Sequence, residues 1–127
     1  MVSELRVRGF SMFPELWPHD RLIVEAGRQY GLGDIVVIER ENGPPIVHRI
    51  VAIRSQQLKT WGDSSPVPEP WVKRSSVIGV VIGVHRLGGR VPLLPSAVSA
   101  GLSAITRPFF WRYYRLKFLL KERLQAR

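Results

Sequence analysis

Three short clusters carry residue types that could together perform acyl-transfer chemistry. The first is Arg8-Gly9-Phe10-Ser11-Met12-Phe13-Pro14. A serine nucleophile must be exposed, rigidly aimed and close to backbone N–H donors, and flanking glycine and proline favour a turn of that kind. Alone the cluster has little weight, because serine among turn residues is usually only a turn. The second is Ile46-Val47-His48-Arg49-Ile50-Val51. Alternate side chains of a strand share a face, which puts His48 between Ile46 and Ile50 on an apolar surface. An imidazole shielded there can take a serine proton as general base, although a lone strand histidine is more often a core residue with its hydrogen bond satisfied. The third is Thr60-Trp61-Gly62-Asp63-Ser64-Ser65. Asp63 could accept the second N–H of His48 and fix its tautomer, or could simply cap a turn. Glu69, on the same loop, is a weaker candidate for the orienting role.

The elements that must position these residues read as β. Apolar runs at 21–25, 34–40, 46–54, 57–61 and 77–86 are rich in Val and Ile and are punctuated by Gly, Pro, Asn or Ser. Runs of that length with such boundaries predict strands. Short strands joined by tight turns predict a mainly β fold, a small curled antiparallel sheet or barrel. After Gly88-Gly89 the character changes. Residues 91–106 are uncharged, and Pro108 then stands where a helix would open. Phe109, Tyr113, Leu116, Leu120 and Leu124 recur at helical spacing opposite Arg112, Arg115, Glu122 and Arg123, predicting an amphipathic helix. The division expected is a catalytic domain over 1–90 and an apolar, then basic, tail over 91–127.

Composition narrows the classes. The 127 residues suit one compact domain. There is no cysteine, which excludes disulfides, thiolate metal sites and cysteine nucleophiles. His19, His48 and His85 are far apart and show no ligand spacing, so neither a metal nor a cofactor is expected. The formal charge is +9, but from Arg107 onward seven Arg and Lys face Glu122 alone. The basicity therefore describes the tail more than the body, and a nucleic-acid partner is disfavoured. Two fates fit residues 107–127 equally well: contact with an anionic membrane interface, or packing on the protein's own sheet. No secretory signal and no uninterrupted span of roughly 18 apolar residues is present. A membrane-associated or cytoplasmic location is expected.

The order of the clusters adds what each lacks singly. Gly9-x-Ser11-Met12-x-Pro14, Gly33-Asp34-Ile35-Val36, Val47-His48-Arg49-Ile50, Gly62-Asp63 and Val77-Ile78-Gly79 together resemble the signal peptidase I superfamily, which also includes the self-cleaving SOS repressors. The resemblance spans roughly residues 6–85, and Ser-Met-x-Pro is its most specific element. It implies a serine endopeptidase that cleaves signal or leader peptides with small residues near the scissile bond. Ser11 would be the nucleophile and Asp63 the acidic partner that orients His48, with Glu69 in reserve. His48 stands where most bacterial members have lysine, as in the endoplasmic-reticulum and archaeal branch. Gly9 replaces the hydroxyl residue that often helps hold the oxyanion, leaving that task to backbone N–H groups of Ser11 and Met12. Other departures are Glu15 for a usual threonine, His19-Asp20 for Gly-Asp, Ser64 for asparagine, and the nearness of Ser11 to Met1. Two competing readings are a catalytically idle β-domain binding peptide or DNA, and a repressor-like self-cleaving switch. The second is disfavoured by the missing lysine and by the lack of a helix-turn-helix segment before Ser11.

Overall fold

Runs of Val and Ile become strands here because alternate side chains can bury toward a common core while the backbone pairs laterally. The computed structural model describes residues 1–95 together with 98, 101, 104, 105, 107, 108, 112, 116 and 119–121. Its strands are β1 (Val2–Arg6), β2 (Arg21–Glu25), β3 (Ile35–Ile38), β4 (Ile46–Ile53), β5 (Gln57–Trp61), β6 (Val72–Lys73), β7 (Val77–Arg86) and β8 (Gly89–Val91). They form one curled antiparallel sheet in the order β1-β2-β7-β3-β4-β5-β6, with β8 also on β7. The mainly β expectation is met, and each of the five expected runs is a strand.

Curling has a local cause. The register shifts at Ile23/Val24, Val37/Ile38 and between Ile50 and Ala52. Each such irregularity bends the strand and increases its twist. The long β7 turns the corner: its first half pairs with β3, and its second half lies between β2 and β8. Strand β3 is buried along its whole length. Ile35 and Val37 face one core with Leu22, Val24, Val81 and Val84, while Val36 and Ile38 face a second with Ile50, Leu58 and Val80. A strand covered on both faces reads as a continuous apolar run, as this one does.

Strands β1, β6 and β8 were not expected. β1 is a sheet edge with exposed side chains at four of its five positions, so it carries no alternation to read. β6 has two residues and β8 three, formed only because β5 and β7 offer free edges. β8 runs across residue 90, and Val91 and Leu93 pack against the first core. The sheet therefore continues past the point where the composition changes.

Of the expected tail helix, most positions lie outside the described residues, including Phe109, Tyr113 and Leu124. Those described at 98, 101, 104, 105 and 107 are already helical, so helical backbone precedes Pro108 instead of opening at it. Leu116, Leu119 and Leu120 are about half exposed. Among the described residues no helix is long and apolar enough to cross a membrane.

Candidate active site

The loop between β1 and β2 aims Ser11. Gly9 has φ 76°, a left-handed conformation that glycine adopts without steric cost. Beyond it the chain alternates between solvent and core: Phe10 is exposed, Met12 is buried, and Leu16 is fully buried. Met12 and Leu16 join the first core and pin the loop to the sheet, each burial contributing on the order of 1.5–3 kcal/mol. The loop closes through Leu16 N–H to Met12 O (3.0 Å), Val7 N–H to Asp20 O (2.8 Å) and His19 N–H to Val7 O (3.0 Å). Asp20 is buried, accepts from Trp17 N–H and receives both Nε and Nη2 of Arg86. His19, where the resemblance leads one to expect glycine, has φ 71°. That departure therefore falls at a left-handed position, where a side chain costs roughly 1–2 kcal/mol.

His48 comes from the middle of β4, opposite Val36, and is 5% exposed. Its Nε2 lies 3.1 Å from Ser11 Oγ, although the two residues are 37 apart in the chain. That is the reach required of a general base. On the other side of the ring, Nδ1 lies 3.3 Å from Glu69 Oε1, at an angle that does not complete a hydrogen bond. Glu69 is held there by its own N–H, which donates to Thr60 O at 3.0 Å. With Nδ1 protonated toward Glu69, Nε2 is free to accept the Ser11 proton.

Asp63 does a different job from the one expected. Its carboxylate accepts from Arg49 Nε at 2.9 Å and Nη2 at 2.7 Å. Strand alternation explains this: His48 and Arg49 are neighbours on β4 and must point to opposite faces. Arg49 is almost wholly buried, and its guanidinium also donates to Gly33 O (2.7 Å) and to Glu15. Burial disfavours the Arg49 cation, yet hydrogen bonds and charge from Asp63 and Glu15 more than restore it and raise its pKa. Burial lifts the Asp63 carboxyl above its usual range, and Arg49 pulls it back only in part. The carboxylate beside His48 is thus Glu69, and Asp63 anchors the frame.

That frame clamps the nucleophile loop. Ser64, next to Asp63, donates its N–H to Ser11 O at 2.9 Å and its hydroxyl to Phe10 O. Gly62 allows the approach: a Cβ there would stand 2.7 Å from Ser11 O and 2.9 Å from His48 Nε2, closer than any side chain can sit. Among the described residues, the N–H groups of Ser11 and Met12 donate to no backbone carbonyl, which leaves both available as donors. A cleft of about 360 Å³ opens beside Ser11 and His48, walled by Leu5 and Val7 at the sheet edge and by Ile46 and Val47 of β4.

Burial lowers the His48 pKa from 6.5 to about 4, with repulsion from Arg107 and Arg40 adding to it. The Glu69 carboxylate, 3.3 Å from Nδ1, acts in the opposite direction. Among the described residues, no three His, Asp or Glu side chains gather in a metal-binding arrangement.

Comparison with protein-family models and with curated proteins gives no match for this chain.

Several contributors were legible in sequence only in part. Arg49 was visible as the residue after His48, and an arginine inside an apolar strand is itself a sign of a buried partner. Glu15 and Ser64 were visible only as departures from the resemblance. Arg107 looked like part of a basic tail. It is instead buried, donates to Trp61 O, stacks over the Trp61 ring at 4.7 Å and lies 3.8 Å from Asp63.

Glu69→Gln separates the two carboxylates. The substitution is expected to lower kcat by roughly 10- to 100-fold through loss of ring orientation and imidazolium stabilisation. It should also move the acid limb of the rate profile to still lower pH, because the one opposing negative charge is gone. Since Glu69 is partly exposed, the unfolding midpoint should hardly change. A rate equal to wild type would remove Glu69 from the mechanism.

Proposed function

We propose that the protein is a serine endopeptidase of the signal-peptidase type that cleaves signal or leader peptides. The observation that carries this reading is the 3.1 Å contact between Ser11 Oγ and His48 Nε2 beside an open cleft. Ser11 attacks the scissile carbonyl while His48 takes its proton. The oxyanion is held by the N–H groups of Ser11 and Met12. His48 then delivers the proton to the leaving amine, and water repeats the sequence on the acyl-enzyme. Glu69 steadies the imidazolium in both steps. An extended peptide would pair by main-chain hydrogen bonds along the free edge of β1, which leads to the cleft. Residues 107–127 would hold the protein at an anionic membrane interface. Exposed Leu116, Leu119 and Leu120 beside Arg112 and Lys121 support that contact, with Arg107 excepted because it is turned inward.

The pH profile tests the base. His48 works when neutral, so kcat/KM for a leader-type peptide should be flat through neutrality and fall on the acid side well below 6.5, toward 4. The same shift has a sign for stability. The unfolded chain takes up the His48 proton near 6.5 and the folded one near 4. Stability should therefore decline as pH falls through that window and level off below it. An acid limb at 6.5 or above would mean a differently placed base.

A further inference from the structure

The cleft beside Ser11 is bordered by three arginines, Arg6, Arg8 and Arg40, and by one carboxylate, Glu69, which is already set against His48. All three arginines are exposed. Among the described residues none of them forms an ion pair, whereas Arg28, Arg49 and Arg86 each do. Arg6 sits directly opposite Arg21, so like charges face one another across β1 and β2. Like charges directly opposite weaken a sheet. Arg40 is the most closely positioned. It follows β3, and its Nε donates to Pro44 O at 3.0 Å, which fixes the guanidinium on the β3–β4 turn at the cleft rim. Its charge reaches His48 strongly enough to oppose protonation of the ring.

We propose that the cleft selects peptides carrying a side-chain carboxylate within a few residues of the scissile bond, with Arg40 as the main reader and Arg8 and Arg6 flanking it. This rests on the peptidase reading and adds a specificity to it. A planar guanidinium with free donors is the natural partner of a carboxylate. The selection also acts on the chemistry. A substrate carboxylate on Arg40 cancels repulsion that His48 otherwise feels, so the base strengthens when an acidic substrate is bound.

The test digests a diverse mixture of peptides with amidated C-termini, which leaves side chains as the only carboxylates, and reads cleavage sites by mass spectrometry. Matched Asp and Asn versions of the preferred sequence then give rates. The Asp peptide should be cut with kcat/KM roughly five- to ten-fold higher, a ratio that shrinks as salt is added. Arg40→Gln should bring the ratio close to one, and Arg40→Lys should restore part of it. The acid limb of kcat should lie at higher pH for the Asp peptide than for its Asn partner. Cleavage with no Asp preference, or a preference that Arg40→Gln leaves intact, overturns the proposal while the peptidase reading stands. If no peptide is cut, the peptidase reading falls, and binding of the same peptides to Ser11→Ala protein by fluorescence anisotropy decides the cleft. Tighter binding of the Asp peptide that is lost in Arg40→Gln upholds the carboxylate site. Equal binding of both peptides, or tighter binding of a single-stranded oligonucleotide, overturns it.

Discussion

Ser11→Ala should lose about four or more orders of magnitude in kcat on any peptide the wild type cleaves, with no change in the unfolding midpoint. The size follows from what the side chain does. Ser11 Oγ meets His48 Nε2 at the cleft, and among the described residues that line it no other hydroxyl is present to form the acyl-enzyme. The loop is held by other atoms: Met12 and Leu16 in the core, and Ser11 O as acceptor for Ser64 N–H. Removing one hydroxyl therefore removes chemistry without removing structure. His48→Ala should fall by a similar amount, and the double variant by little more than either, because nucleophile and base act as one unit. Residual activity within about ten-fold of wild type in Ser11→Ala would sink the mechanism, since loss of the nucleophile cannot have so small an effect.

Arg49→Ala should cost about 3–5 kcal/mol of stability, because it strips a buried guanidinium from its carboxylates and removes their hydrogen-bonded counter-charge. For a domain whose total stability is on the order of 5–15 kcal/mol, that is a large share. Arg49 joins four places: Asp63 after β5, Glu15 in the nucleophile loop, Gly33 before β3, and β4 itself. Arg107, 3.8 Å from Asp63, is too distant to replace the paired hydrogen bonds. Without Arg49 the Asp63 carboxyl rises further above its usual range, so the variant should depend more on pH than the wild type, recovering part of the loss as pH falls and Asp63 takes up a proton. Urea unfolding measures the first effect, and repeating it across pH measures the second. Arg49→Lys keeps the charge but not the fork that meets Asp63 through both Nε and Nη2, and should recover only part of the loss. A stable, fully active Arg49→Ala protein would show that the nucleophile loop is not held through this cluster.

These variants also separate what could be read along the chain from what could not. Ser11 and His48 were legible through the order of their clusters along the chain, since each cluster alone has little weight. Gly9 and Pro14 mark a turn, and Ile46 and Ile50 mark the face on which His48 lies. The sequence favours Asp63 as the acidic partner with Glu69 in reserve, and the structure sets Glu69 beside the imidazole. Asp63 and Glu69 follow β5 only a few residues apart, and no periodicity distinguishes them. The distinction is made by β4, where neighbouring side chains point oppositely: His48 goes to Glu69 and Arg49 to Asp63. Arg107 shows the same limit. No acidic residue stands near it in the sequence, and only the folded chain brings it to Trp61 and Asp63.

The amino-acid sequence by itself determined the mainly β class, the five longest internal strands, the turn at Ser11 and the apolar face that carries His48. Each of these follows from alternation or turn chemistry, which act over a few residues. Tertiary structure alone decided that Ser11 and His48 meet at 3.1 Å, that Glu69 and not Asp63 lies beside the imidazole, and that Arg49 sits between Asp63 and Glu15. It also decided the short edge strands β6 and β8, which exist only because a neighbouring strand offers unpaired backbone groups. The physical reason is common to all of these. They depend on register and on the curl of the sheet, and a shift of one residue would exchange the faces of His48 and Arg49.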